Sequence, residues 1–275
     1  MKKLLSILSI ASLSLSLFAT DIFTYAPING SIKNYTETVY SIASKFGNYF
    51  RTPNAKITHE FNASGKEVSS TEVTPRDAVV NKISSKYNAA GQLTEQACTN
   101  ANGEAIWKSV ITYKDGVKVD LSEYDAKGNL KGKTIYTYEG EKLVDETSYD
   151  GEGVLLWKTI YKYNAAGKVE FMNEYEATGA LSAQNTYTYT EGGLVDSITT
   201  YDAFSGKQTQ QVFRYANGTL NEITTYDSQK QVIKRVLLKY DTNQNVIKVS
   251  DYDVAEKFGT TVNELIAMSE FVYEY

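Results

Sequence analysis

Residues 133–153 read KTIYTYEGEKLVDETSYDGEG, and residues 158–179 read KTIYKYNAAGKVEFMNEYEATG. The second stretch restates the pattern of the first: a run rich in Tyr, Thr and Ile, a turn, a more acidic run, and another turn. Self-similarity at a fixed period of this length is the signature of a repeat architecture. The fold therefore has to be read from the repeat unit.

Two interleaved series of tyrosines mark the repeat, and both recur at the same nearly constant spacing. The first series is Tyr87, Tyr113, Tyr138, Tyr163, Tyr189, Tyr215 and Tyr240. The second series is Tyr124, Tyr149, Tyr175, Tyr201, Tyr226 and Tyr252. Two series with one period mean two half-units per repeat. Cys98 stands one full period before Tyr124, where an earlier member of the second series is expected.

The tyrosines open turns such as YDAKGN and YNAAGK. Asp and Asn initiate turns through their side chains, and Gly takes the position with positive φ. The segments between turns have strand length and are rich in Tyr, Thr, Val and Ile, which favour strands. The sequence predicts an all-β fold: an antiparallel meander of about seven 25–26-residue β-hairpin repeats that forms an elongated or rolled repetitive sheet.

The strands of the two half-units differ in charge and in the residues on their faces. The strands that end at the first series are neutral to basic, and those that end at the second are mildly acidic. Opposite charges on neighbouring strands predict cross-strand pairs. In the basic strands one face is an aromatic column. Exposed aromatic rows can stack sugars or peptides, so the candidate ligand-binding residues are Trp107, Tyr136, Trp157, Tyr161 and Tyr187. The alternative is that the column is the sheet's own core.

The N-terminus MKKLLSILSIASLSLSLFAT has a basic start, a short apolar run and a small residue, Ala19, before a cleavage point. This pattern predicts a secretory signal peptide, with the protein periplasmic, on the cell surface or extracellular. No later segment is apolar enough for a transmembrane helix.

The expected organisation follows from the repeat and its ends: 1–19 signal peptide, 20–54 N-terminal capping segment, 55–252 hairpin array, 253–275 C-terminal capping strand. For residues 34–46 the sequence allows two predictions, a strand or a helix. In the helix, Asn34 and Glu37 would form a capping box. The strand is favoured because residues 41–48 resemble residues 84–91.

Motifs for chemistry are scarce. His59 is the single histidine and Cys98 the single cysteine, so neither a His-based metal site nor an internal disulfide is expected. Asp241, Asn243 and Asn245 begin a calcium-loop pattern, which fails at Val246 and Tyr252. A net charge of −5 argues against nucleic acid as a partner. We expect no catalytic residues, no cofactor and no metal.

The segments YDAKGNL, YNAAGQL and YNAAGKV, each preceded by a Tyr- and Thr-rich strand, resemble the Tyr–Asp (YD/RHS-like) repeats of bacterial secreted and surface proteins. They are more loosely similar to MORN-type repeats. The resemblance covers roughly residues 55–252 and implies β-hairpin shells or elongated sheets in export or surface display. The Arg common after the turn Gly in that family is absent here.

The preferred function is a non-catalytic exported scaffold that binds an unidentified protein or glycan. One alternative is a carbohydrate-binding module that uses the aromatic rows. Another is an outer-membrane β-barrel. Against the barrel, strands such as LVDETSY lack an apolar row on either face and lack the length of a membrane strand.

Overall fold

The computed structural model describes residues 22–45, 48–257 and 259–275, and most of these residues lie in strands. The predicted signal peptide, residues 1–19, lies outside the described residues. The strands are β1 (Asn34–Lys45), β2 (Asn48–Phe61), β3 (Glu67–Val73), β4 (Val79–Tyr87), β5 (Leu93–Asn100), β6 (Ala105–Lys114), β7 (Val117–Asp125), β8 (Leu130–Glu139), β9 (Lys142–Asp150), β10 (Leu155–Tyr163), β11 (Val169–Glu176), β12 (Leu181–Tyr189), β13 (Val195–Asp202), β14 (Lys207–Ala216), β15 (Thr219–Tyr226), β16 (Val232–Tyr240), β17 (Val246–Lys257) and β18 (Thr260–Glu274). Residues 34–45 form a strand, as preferred over the helix.

The sheet closes on itself. Each strand pairs antiparallel with the next along the chain, and β18 also pairs with β1, with Asn34 opposite Glu274 and Ser41 opposite Ala267. The result is a closed 18-stranded barrel, which has no free edge. The expected elongated or rolled sheet is therefore wrong, although the chain is all-β. The segments predicted as caps, 20–54 and 253–275, contain the strands that close the barrel.

The physical reason for closure lies at the tyrosines. The register shifts at Tyr163 between β10 and β11, and again at Tyr175 between β11 and β12. The same shifts recur at Tyr113, Tyr124, Tyr138 and most other members of both series. Each shift is a β-bulge that sets two residues against one and bends the strand pair. Bulges at both ends of nearly every strand curve the sheet until its first and last strands meet.

The turns form as the sequence predicts. In the turn after β7, the Asp125 carboxylate accepts hydrogen bonds from the backbone N–H groups of Lys127 and Asn129, both at 2.9 Å. Gly128 completes the turn with a φ of +82°, a value that side chains with a Cβ rarely adopt. Asn164 and Gly167 repeat this arrangement after β10. The turn chemistry therefore fixes where each strand ends.

Six of the seven tyrosines of the first series tie a hairpin to the one before it. The Tyr163 hydroxyl on β10 donates to the Leu143 carbonyl on β9 at 2.6 Å, a partner 20 residues upstream. Five other members make the same bond to the residue 20 positions upstream: Tyr87, Tyr113, Tyr189, Tyr215 and Tyr240. These bonds lie at one end of the barrel, the first rim, where the turns after even-numbered strands are found. The repeat thus encodes both a bulge and a cross-strand tie.

Replacing Tyr163 with Phe is expected to destabilise the barrel by about 0.5–1.5 kcal/mol, because only the hydroxyl and its bond to the Leu143 carbonyl are lost. Urea unfolding followed by tryptophan fluorescence measures the change. The matched control is Tyr149→Phe, since the Tyr149 hydroxyl makes no protein hydrogen bond within the described chain. Equal losses in the two variants would contradict a stabilising tie.

Candidate functional site

The N-terminal segment, residues 22–33, identifies the inside of the barrel. Its first turn is helical, with the Ala26 amide donating to the Ile22 carbonyl at 2.9 Å. Ile22 and Ala26 are buried together with side chains from β1 and β13–β18. One short segment can contact so many consecutive strands only from the concave side of a closed barrel. The N-terminal segment therefore fills part of the lumen.

Aromatic contacts hold this segment against the wall. The Phe23 ring lies 5.6 Å from Tyr35 and 5.5 Å from Phe271, between ring centroids. The Tyr25 ring lies 4.7 Å from that of Phe213, which is 4% exposed. The apolar core of the protein is thus the interface between the N-terminal segment and half of the barrel wall.

A buried amide fixes the end of the segment. Asn245, in the turn between β16 and β17, is 0% exposed. Its side-chain oxygen accepts from the Asn29 backbone N–H at 2.6 Å, and its Nδ2 donates to the Asn29 carbonyl at 3.0 Å. Nδ2 also lies 2.9 Å from the Tyr275 hydroxyl. This Asn latch joins the two ends of the described chain at the first rim.

The opposite half of the inner wall, on β6–β12, carries a continuous row of contacts. We call it the lumenal row. In order around the barrel, it consists of Lys118, Tyr136, Glu146, Tyr161, Met172 and Tyr187. The Lys118 ammonium lies 2.7 Å from the Tyr136 hydroxyl, and Tyr136 stands directly opposite Glu146. The Tyr161 hydroxyl donates to Glu146 at 3.0 Å, and the Tyr187 hydroxyl lies 4.0 Å from the Met172 sulfur.

Carboxylates stand beside the other aromatics of this wall. Trp107 lies directly opposite Asp125, and Trp157 directly opposite Glu176. Directly opposed residues of an antiparallel pair share one face of the sheet. The inner wall therefore combines aromatic surface with negative charge along its height.

All five sequence-predicted ligand residues lie on this inner wall, but not as one cluster. Tyr136, Tyr161 and Tyr187 belong to the lumenal row, whereas Trp107 and Trp157 lie nearer the other end of the barrel. Sequence reasoning missed Lys118, Glu146 and Met172. The signal available was the alternation in LVDETSY, which separates Asp145 from Glu146 onto different faces; both were interpreted as cross-strand charge partners.

The contacts of Cys98 and His59 are those of residues that pack in the barrel wall. Cys98 is 4% exposed and packs on the inner face opposite Trp107. It is not the repeat equivalent of Tyr124, however, because the bulge falls at Thr99. His59 stacks on Tyr35 with ring centroids 4.4 Å apart and contacts Glu67 at 3.0 Å.

In the turn 241–245, the Asp241 carboxylate finds its hydrogen-bond donors within the turn itself. Asp241 accepts from the N–H groups of Asn243 and Asn245 at 2.9 and 2.8 Å. Among the described residues, no group of three or more His, Cys, Asp or Glu side chains is placed to hold a metal ion. In the same part of the chain, no helix is long and apolar enough to cross a membrane.

The outer face carries the second tyrosine series as a belt near the second rim, the end opposite the first. Each of these tyrosines lies directly across from a long polar side chain: Tyr124 from Lys108, Tyr149 from Lys133, Tyr175 from Lys158, Tyr201 from Gln184, Tyr226 from Gln210 and Tyr252 from Arg235. The Lys108 ammonium lies 5.5 Å from the Tyr124 ring centroid. We call this set the outer belt.

Predicted cross-strand charge pairs also form on the outer face. Lys133 lies 3.6 Å from Asp120, and Lys158 pairs with Asp145 in the same way on the next hairpin. Between these charges runs a row of apolar side chains: Val110, Ile135, Ile160, Val212 and Leu237. The outer face is thus mixed, with tyrosine, charged and apolar side chains.

No protein-family model matches the sequence, and no curated protein matches it significantly. Among solved structures, the chain is similar to a porin-like protein from Bacteroides uniformis, with a TM-score of 0.50 and 11% identity over 90% of this chain and 99% of that one. A porin-like protein from Bacteroides vulgatus gives a TM-score of 0.40 and 12% identity, over 89% of this chain and 99% of that one. The TcdB2-TccC3-TEV structure gives a TM-score of 0.34 and 13% identity, over 82% of this chain and 16% of that one.

The first of these three similarities shows the fold, and at 11% identity it shows the fold alone. It agrees with the closed topology read from the strand pairing. The closed barrel contradicts the open or rolled sheet that the sequence analysis preferred.

Proposed function

We propose that this protein is an outer-membrane β-barrel whose lumen is partly filled by its own N-terminal segment. The closed 18-strand topology carries the proposal, because a barrel satisfies every strand through its neighbours and leaves no edge in lipid. Strands β5–β16 have 8–10 residues, close to the roughly 9–11 of a tilted membrane strand. The proposal includes no catalytic step.

The outer belt supports a boundary with the membrane at the second rim. Tyrosine is enriched where a barrel meets the headgroup region, and the aliphatic stems of Lys and Arg cover apolar surface while their charges stay in water. Each belt tyrosine lies beside such a side chain or a glutamine. In this arrangement the charges opposite the tyrosines lie at the headgroups rather than at the bilayer centre.

The outer charges favour a second candidate, a closed barrel that stays in water as an exported binding module. A Lys or Arg in contact with lipid costs about 2–4 kcal/mol at the bilayer centre. Asp120 and Lys133 lie on the outer face, at side-chain exposures of 19% and 41%. An apolar row that is bounded by such pairs is narrow compared with the roughly 25 Å apolar band of a membrane barrel.

Cell fractionation decides between the two candidates. The membrane barrel is expected in the outer-membrane pellet after an alkaline carbonate wash, with slower migration after boiling in detergent gels. Recovery of the protein in the osmotic-shock fluid would overturn the proposal and support the water-facing module.

A substitution in the apolar row sharpens the test. Ile135, which is 40% exposed, is replaced by Lys, with Ile135→Thr as the matched control. In a membrane barrel we expect Ile135→Lys to cost about 2–4 kcal/mol and to reduce the membrane-inserted fraction well below that of Ile135→Thr. Equal recovery of both variants would indicate that this row does not contact lipid.

A further inference from the structure

We propose that the inner wall of β6–β12 binds an organic cation, one that carries ammonium or guanidinium groups on an apolar frame. The proposal concerns the lumen and does not depend on whether the barrel lies in a membrane. It goes beyond the barrel function by naming the chemistry of what the lumen accepts.

The N-terminal segment leaves this half of the inner wall uncovered. The N-terminal segment packs against β1 and β13–β18, with partly buried contacts on β2 and Tyr187 of β12. The five aromatic residues Trp107, Tyr136, Trp157, Tyr161 and Tyr187 remain partly exposed on the inner face. The uncovered sheet face therefore begins where the N-terminal segment ends, with Tyr187 between the two.

The uncovered half of the inner wall carries negative charge. In the strand bodies, the inner positions of this wall hold Glu123, Glu146 and Glu174, none of which has a Lys, Arg or His within 4.0 Å in the described chain. Glu123 lies opposite Gly132, and Glu174 opposite Thr159, so neither faces a cation across the strand. Lys118 contacts the Tyr136 hydroxyl and ring and also attracts Glu123 and Glu146, so one cation stands against three carboxylates and the wall keeps a negative excess.

Charge and aromatic surface alternate along this half of the wall. Glu146 stands opposite Tyr136 and accepts from Tyr161, while Glu176 stands opposite Trp157. An organic cation is attracted to aromatic faces by their quadrupole and to carboxylates by charge-assisted hydrogen bonds. A neutral sugar would gain from the rings but would not compensate the carboxylates.

The experiment uses the full-length protein and its own fluorophores. Trp107 and Trp157 are the two tryptophans of the chain, and both lie on the proposed wall. Choline is titrated while tryptophan emission is recorded, with 3,3-dimethylbutan-1-ol as the neutral molecule of nearly the same shape. We expect choline to bind at least about tenfold more tightly than the alcohol, and added salt to weaken it.

The variant is Glu123→Gln/Glu146→Gln/Glu174→Gln, which keeps side-chain volume and leaves an oxygen for the Tyr161 hydroxyl. Its matched control is Asp120→Asn/Asp145→Asn, which removes charges from the outer face. We expect the inner variant to lose about tenfold or more in choline affinity and the outer variant to be unchanged. Thermal unfolding of both variants verifies that they fold.

Three results would overturn the proposal. The alcohol could change the emission at the same concentration as choline, which would indicate an apolar cleft. A neutral oligosaccharide could change it where choline does not, which would support the carbohydrate-binding alternative. The inner variant could bind choline as tightly as the wild type, which would show that the carboxylates play no part.

Discussion

Replacing Phe213 with Ala is expected to destabilise the protein by about 3–5 kcal/mol, among the largest single effects in the chain. Phe213 is 4% exposed, lies directly opposite Ile223, and packs against Tyr25 of the N-terminal segment. Removing the ring takes away contacts on both sides of this interface. The cavity cannot collapse easily, because the backbone on one side is fixed in the barrel ladder and on the other by the Asn latch.

Equilibrium urea unfolding with tryptophan emission measures this loss. The matched control is Phe204→Ala in the turn between β13 and β14, where the ring is 67% exposed and a change within about 0.5 kcal/mol is expected. A loss below about 1 kcal/mol for Phe213→Ala would contradict the conclusion that the N-terminal segment and the wall form the core.

The repeat period, the turn positions and the strand character were all predictable from the sequence. They depend on local chemistry: Tyr, Thr and Val favour strands, and Asp, Asn and Gly form turns within a short stretch of chain. The closure was not predictable in the same way. It depends on a bulge at nearly every tyrosine, and a bulge is a property of two paired strands rather than of one segment.

At Cys98, the repeat period and the observed bulge differ by only one residue. Counting one period back from Tyr124 reaches Cys98, whereas the bulge equivalent of Tyr124 is Thr99. A shift of one position moves a side chain to the other face of a sheet. The count therefore predicted the position of Cys98 in the repeat wrongly by one residue.

The same reasoning applies to the candidate site. The inward aromatics were predictable because the basic strands alternate regularly between bulges. The alternation in LVDETSY places Asp145 and Glu146 on different faces but does not tell which face is inside, since the acidic strands begin with a bulge that resets the alternation. Thus Asp145 pairs with Lys158 outside, and Glu146 faces Tyr161 inside. The resemblance to YD repeats concerns sequence, and it stays a prediction.

The N-terminal segment lay beyond prediction for a different reason. Its partners lie near the other end of the sequence, as the hydrogen bonds between Asn29 and Asn245 show. No periodicity within residues 22–33 marks a lumenal position. Only the closure of the barrel brings both ends of the described chain to the first rim.

Replacing Asn245 with Ala is expected to cost about 3 kcal/mol and to loosen the N-terminal segment. The side chain makes three hydrogen bonds in a fully buried position, two to the Asn29 backbone and one to the Tyr275 hydroxyl. Alanine leaves the Asn29 N–H and carbonyl without that partner, and each unsatisfied buried group costs roughly 1–3 kcal/mol. Because no packing residue is removed, the barrel itself should stay closed.

Two measurements separate loss of the latch from a general loss of stability. Urea unfolding gives the free energy, and chymotrypsin cleavage after Phe23 and Tyr25, followed by mass spectrometry, reports exposure of the N-terminal segment. Asn243→Ala, an exposed position in the same turn, is the control and should change neither. Asn245→Asp keeps the acceptor for the Asn29 N–H but loses both donated bonds, so its cleavage rate should fall between the two. If Asn245→Ala were cleaved no faster than Asn243→Ala, the apolar contacts of Phe23 and Tyr25 alone would hold the segment in the lumen.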